Sequence, residues 1–149
     1  MNETATTAVE KEDQVEVVME VEKIQADVIS VEITGSPDQY QFSVGISSPD
    51  TGCDQYADWW EVIAAAGELI YRRILLHSRV TDQPFVRSGG PVQIEPDTVV
   101  LVRAHMNQAG YGGRVLAGTV ATGFIEIFPD PGFGDGLEDE PPLPAGCNF

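Results

Sequence analysis

Apolar and polar side chains alternate with a period of two through most of the middle of the chain. Ile29, Val31 and Ile33 alternate with Ser30, Glu32 and Thr34, and Tyr40, Phe42, Val44 and Ile46 alternate with Gln41, Ser43, Gly45 and Ser47. Successive side chains of an extended strand project to opposite faces, so this alternation predicts strands buried on one side. Residues 58–63 (DWWEVI) and 68–77 (ELIYRRILLH) flank Ala64, Ala65, Ala66 and Gly67 and predict a hairpin. A helix through the alanines is the competing reading. Trp, Val, Ile and Tyr on both sides, with Gly67 between, argue against it. Residues 78–91, with Pro84, Gly89, Gly90 and Pro91, predict a long connection ahead of a short strand at 92–94. A strong strand at 98–106, a glycine-rich turn at 107–113, a hairpin partner at 114–121 and a last strand at 124–128 complete the pattern.

About seven to nine short strands with frequent turns and no convincing helix predict an all-β protein, an antiparallel β-sandwich. Three regions follow: a disordered acidic tether at 1–23, the sandwich at 24–128, and an irregular Pro/Gly/acidic tail at 129–149. Within the first region, Val15, Val17, Met19 and Val21 alternate with Glu16, Glu20 and Glu22, a possible first strand. The strand at 40–46, the Trp59-Trp60 strand and the hairpin at 98–118 together resemble the immunoglobulin or fibronectin type III plan. The immunoglobulin Cys–Trp–Cys pattern is absent, because Cys147 lies beyond the last strand. The blocks CDQYADWWEVIAAAGELIYRRILLHSRVTDQPFVRSGGPV and VVLVRAHMNQAGYGG are similar to small uncharacterised bacterial proteins of exported, lipoprotein-like type. That resemblance spans roughly residues 50–120. It implies export and brings no catalytic residue with it.

Charge is distributed unevenly. All six arginines lie between Arg72 and Arg114, against Asp82, Glu95 and Asp97, while the whole chain carries −16. So acidic a body disfavours nucleic acid and anionic membrane surfaces as partners. No apolar run is long enough to cross a bilayer, and Met1-Asn2-Glu3-Thr4 opens no export signal. Either the protein is cytoplasmic, or a signal, with a possible lipid anchor, precedes Met1. The two cysteines, Cys53 and Cys147, bear on this choice. A disulfide between them would fasten the tail and close a loop of about 95 residues, for roughly 4 to 5 kcal/mol on a chain-entropy argument. It would also require an oxidising compartment. Two unrelated free thiols are the alternative.

Strand parity predicts where a site could lie. In 98–106 the even positions Val100, Val102, Ala104 and Met106 belong to the core, which turns Arg103 and His105 outward. The same reasoning puts Trp60 and Val62 inside and Trp59 outside, and turns Tyr71, Arg73 and His77 outward. Trp59, Tyr71, Arg73, Arg103, His105 and His77 would then share one wet sheet face. Such a surface suits a protein or glycan partner. It equally suits arginines lying across a sheet and pairing with acids. We expect a non-enzymatic binding or structural module, exported to the periplasm, outer membrane or cell surface, with no required cofactor. A small metal-dependent or hydrolytic enzyme using His77 and His105 is one alternative. However, His105 and Met106 point to opposite faces, and Ser78 lacks a nucleophile-elbow frame. A calcium-stabilised adhesion-type module is another, with Asp130, Asp135, Glu138, Asp139 and Glu140 as oxygen donors but without EF-hand spacing.

Overall fold

A computed structural model describes residues 24–148. The expected tether and possible first strand lie outside the described residues. Eight strands form two antiparallel sheets: β1 (Asp27–Thr34), β2 (Tyr40–Ser47), β3 (Ala57–Ala64), β4 (Leu69–Ile74), β5 (Phe85–Val92), β6 (Val100–Met106), β7 (Val115–Thr119) and β8 (Gly123–Ile127). One sheet has the order β1-β2-β5 and the other β4-β3-β6-β7-β8. The fold is the expected all-β sandwich.

The core forms where the apolar rows of the two sheets meet. Tyr40, Phe42, Val44 and Ile46 from β2 pack with Trp60 and Val62 from β3 and with Val100, Val102, Ala104 and Met106 from β6. The alternation predicted each of these rows. The β3–β4 hairpin also forms as expected, with Ala64 N bonded to Glu68 O at 2.8 Å and Gly67 at the positive φ of 101° that such a turn requires.

Register shifts occur in four of the strand pairs, and those on β1 and β4 change which side chains face the core. On β1 the pairing passes from Val28↔Ile46 to Ser30↔Gly45, leaving Ile29 without an opposite residue. Val28 is therefore a core residue and Ile29 is exposed, while Val31 and Ile33 return to the core side. On β4 the pairing passes from Ile63↔Leu69 to Val62↔Tyr71, skipping Ile70. A one-residue slip reverses the facing of everything beyond it. Ile70 and Tyr71 both pack against the core, so Arg73 follows Tyr71 to that side and Arg72 turns to the other.

One expectation fails in this region. Residues 85–92 are a full strand, not the end of a connection. β5 pairs with β2 alone and is an edge strand, where Gly89, Gly90 and Pro91 cost little because one side of the backbone needs no partner.

Candidate functional site

The outer face of the five-stranded sheet is made by alternate residues of three strands. β3 contributes Trp59, Glu61 and Ile63, and β6 contributes His105, Arg103 and Leu101 directly opposite them. β4 adds Ile74 and Arg72 opposite Trp59 and Glu61. Parity had placed Trp59, Arg103 and His105 here. They are not wet. Trp59 retains 2% of its exposure, Arg103 6% and His105 5%.

The tail covers them. Residues 129–149 were expected to be irregular, and the described part, 129–148, is irregular apart from a 3-10 turn at Leu137–Asp139. They are not a solvated appendage, however. Leu137 is buried against the sheet, and the Cys53–Cys147 disulfide fastens the far end with its Cα atoms 5.7 Å apart. Asn148 pairs with His77 as an isolated parallel bridge, its N–H donating to Leu76 O at 2.6 Å.

Cations on the sheet hold this strap by its carbonyls. Arg72 Nε donates to Glu61 Oε1 at 2.7 Å, Nη2 to Leu137 O at 2.7 Å, and Nη1 to Glu140 O and to Pro142 O at 3.0 Å. Arg103 Nε donates to the other Glu61 oxygen, Oε2, at 2.8 Å, and Nη1 to Phe133 O at 3.3 Å. Glu61 is fully buried between the two guanidiniums. Burying charge is tolerable only where each charge is paired and its remaining donors are met. The carboxylate supplies the pairing and the tail carbonyls take the remaining protons.

Aromatic rings complete the layer. The Trp59 and His105 rings stack 3.8 Å apart with planes 2° from parallel. The Arg72 guanidinium lies 4.1 Å from the Trp59 ring centre, and that of Arg103 lies 3.5 Å from the Tyr111 ring centre. Such contacts strengthen when water is excluded. Burial and the nearby Glu61 charge push the Tyr111 phenol far above its ordinary value, so it stays protonated.

His105 links the sheet to the strap. Nδ1 meets Asp58 Oδ1 at 2.6 Å and Nε2 meets Glu138 Oε2 at 2.7 Å. Toward ionised carboxylates both ring nitrogens donate, so this arrangement favours the imidazolium form. Burial alone would lower its pKa from 6.5. The bonds and charges of Asp58 and Glu138 outweigh burial and raise it. The sign of the pH effect follows. This bridge contributes its full stability below the unfolded value of 6.5, and the contribution is lost as pH rises through the elevated folded value. We expect the melting temperature to fall as pH is raised from about 6.5, and the His105→Gln variant to lack that step. A pH series of melts on the two proteins checks it. Equal slopes would remove His105 from the account.

The six expected binding residues therefore divide among three settings. Trp59, Arg103 and His105 lie under the strap. Tyr71 lies on the core side against Trp60, with ring centres 5.7 Å apart. Arg73 reaches from β4 across to β5, its Nε donating to Ser88 O at 2.8 Å. His77 is exposed beyond the end of β4. A single face holding all six is not what forms, because the bulge at Ile70 reverses the parity of β4.

The two histidines share no centre. Both nitrogens of His105 are committed to carboxylates, and Ser78 Oγ is buried without a partner rather than bonded to His77. Among the described residues no three of His, Cys, Asp and Glu gather as metal ligands, and Glu138 of the expected calcium set is taken by His105. Arg72 and Glu61, at the centre of the layer, were missed as site residues. Glu61 between two apolar positions of a strand was the available signal, since a carboxylate there needs a buried cation.

A protein of Halomicrobium mukohataei described as a "Putative lipoprotein" is 37% identical over 139 residues, which cover 90% of this chain and 66% of that protein. The chain thus spans just under two thirds of the length of this curated relative. No protein-family model matches the chain, and no solved structure does. No helix among the described residues is long and apolar enough to cross a membrane. The similarity is to a lipoprotein-like sequence, and together with an intramolecular disulfide it points to an exported protein.

Proposed function

We propose that this lipoprotein-like chain is an exported β-sandwich that works by binding or structural support at the cell envelope or surface and performs no catalysis. The observation that carries this reading is the sealed outer face. Asp58, Glu61 and His105, the titratable groups best placed for chemistry, are each consumed in pairs that hold the strap. A catalytic acid or base must reach a substrate proton, and these reach only Arg72, Arg103, one another and Glu138 of the tail. The Cys53–Cys147 bridge supports an oxidising compartment. The relative's description supports attachment through a lipid. The order β1-β2-β5 against β4-β3-β6-β7-β8 supports the immunoglobulin-like plan, a scaffold used for many kinds of binding.

The test is made on the native protein in its own cells. Radiolabelled fatty acid should enter the protein, it should fractionate with membranes, and its intact mass should rise by two hydrogen atoms on reduction of the Cys53–Cys147 bridge. A soluble, unlabelled protein with two free thiols would overturn the reading.

A further inference from the structure

A cleft lies where the two sheets meet at their edges. β4 ends one sheet and β5 the other, and Arg73 spans the gap to Ser88 O. Between them lies a cleft of about 160 Å³ lined by Arg73, His77, Arg79 and Arg87 over Leu75 and Phe85. Half of the chain's six arginines converge here, on a protein of net charge −16.

These cations lack the carboxylates that the covered face supplies. Among the described residues, Asp82 stands 3.9 Å from the Arg79 guanidinium on an exposed side chain, and the carboxylate of buried Asp50 is spent on the backbone N–H groups of Ala57 and Arg79. Arg73 spends Nε and Nη1 on the carbonyls of Ser88 and Ile74, and Arg87 spends Nη1 on that of Val86 at 2.6 Å. A guanidinium carries five N–H donors, so each retains donors for a ligand. Burial, and then the charges of Arg79 and Arg73, lower the pKa of Arg87, as expected of cations crowded together.

The cleft is also held in place. Arg73 and Arg87 stand on strands. Arg79 stands on a loop, but its backbone is fixed at both ends. Its N–H donates to buried Asp50 Oδ2 at 2.7 Å, and its carbonyl accepts from Gln83 Nε2 at 2.9 Å. Gln83 is itself tied to Ser48, accepting from Ser48 N at 2.9 Å. Like charges gathered at rest and held by a second layer of hydrogen bonds describe a site prepared for an anion.

We propose that Arg73, Arg79 and Arg87 bind a doubly charged tetrahedral oxyanion, phosphate or sulfate, free or as the ester group of a small molecule. One carboxylate is satisfied by a single arginine fork, whereas three guanidiniums match a group with several equivalent oxygens. Leu75 and Phe85 form an apolar floor on which the body of an ester can rest. This deepens the binding reading above and rests on it. Failure at the cleft leaves export and lipid attachment standing, since those are read by fractionation and labelling.

The experiment titrates inorganic phosphate, inorganic sulfate and phenyl phosphate into the full chain by calorimetry, with ionic strength held constant by chloride. Saturable binding of at least one is expected. Arg79→Gln and Arg87→Gln should each weaken it about tenfold, and Arg114→Gln, which lies in a surface pair with Glu126, should not. Tighter binding of phenyl phosphate than of inorganic phosphate assigns the ester as the source, and equal binding assigns the free ion. If a variant fails to fold, the wild-type protein decides: arginine Nε–H signals of Arg79 and Arg87 should move on titration while that of Arg114 stays. No saturation, unchanged affinity in both folded variants, or equal shifts at Arg114 would overturn the site.

Discussion

Glu61→Gln is expected to destabilise the protein by about 3 to 5 kcal/mol, the usual cost of removing one member of a buried ion pair. Glu61 neutralises two guanidiniums that have almost no contact with water, and both of its oxygens are engaged. Glutamine keeps the shape but removes the charge and turns one oxygen into a donor facing a donor. Arg72 and Arg103 would then be left as unpaired cations inside the protein. Their tail carbonyls carry only partial charge and cannot replace a carboxylate. A triple variant, Glu61→Leu with Arg72→Met and Arg103→Met, should recover much of the loss on the sheet itself, because apolar replacements of a buried charge group are often tolerated. It should not recover the strap, which hangs on Arg72. Urea melts, with exchange of the Leu137 amide as a local reading, separate the two effects. If Glu61→Gln melts within 1 kcal/mol of the parent (roughly the error of such a comparison), the buried triad is not what holds this face.

Breaking the Cys53–Cys147 bridge, as in Cys53→Ser with Cys147→Ser, is expected to cost about 2 to 5 kcal/mol. The bridge closes a loop of sequence separation 94, which contains every strand from β3 to β8. Opening it restores freedom to the unfolded chain. It also releases the far end of the strap, leaving Asn148 to hold by its bonds to Leu76 and Ser78. The face beneath should then open before the sandwich does. Trp59 lies under the strap and Trp60 in the core, so early wetting should redden the fluorescence of Trp59 in a Trp60→Phe background. A single cooperative transition, with no earlier change at Trp59, would mean that arginine contacts alone keep the strap down.

The buried triad and the bridge also show what could be read from residues in order. Alternation identified β2, β6 and the β3–β4 hairpin with their core rows, because a strand with one buried face must write that face into every second residue. The facing of Tyr71 and Arg73 could not be read, because a bulge at Ile70 costs one skipped residue and leaves no mark in composition. β5 was hidden by Gly89, Gly90 and Pro91, which are poor in a central strand yet acceptable at an edge. Which strand is an edge depends on the order of pairing. The polar outer row of β3 and β6 looked wet for a similar reason. Arginine, histidine and glutamate in alternation usually face water, and only the returning tail makes them interior.

The arginine concentration between residues 72 and 114 was plain in the chain, but its division was not. Arg72 and Arg103 hold the strap, while Arg73, Arg79 and Arg87 line the cleft between sheet edges. Adjacent residues Arg72 and Arg73 serve opposite faces.

The amino-acid order by itself determined the β class, the core rows and the two thiols available for a bridge, since these follow from side-chain period and composition. Only the tertiary structure decided which arginines meet a carboxylate and which meet each other. That depends on distances between strands far apart in the chain, and those distances are set by bulges, edges and the path of the tail. A guanidinium carries the same charge wherever it stands, and its surroundings decide whether that charge is neutralised in the interior or held ready for a ligand.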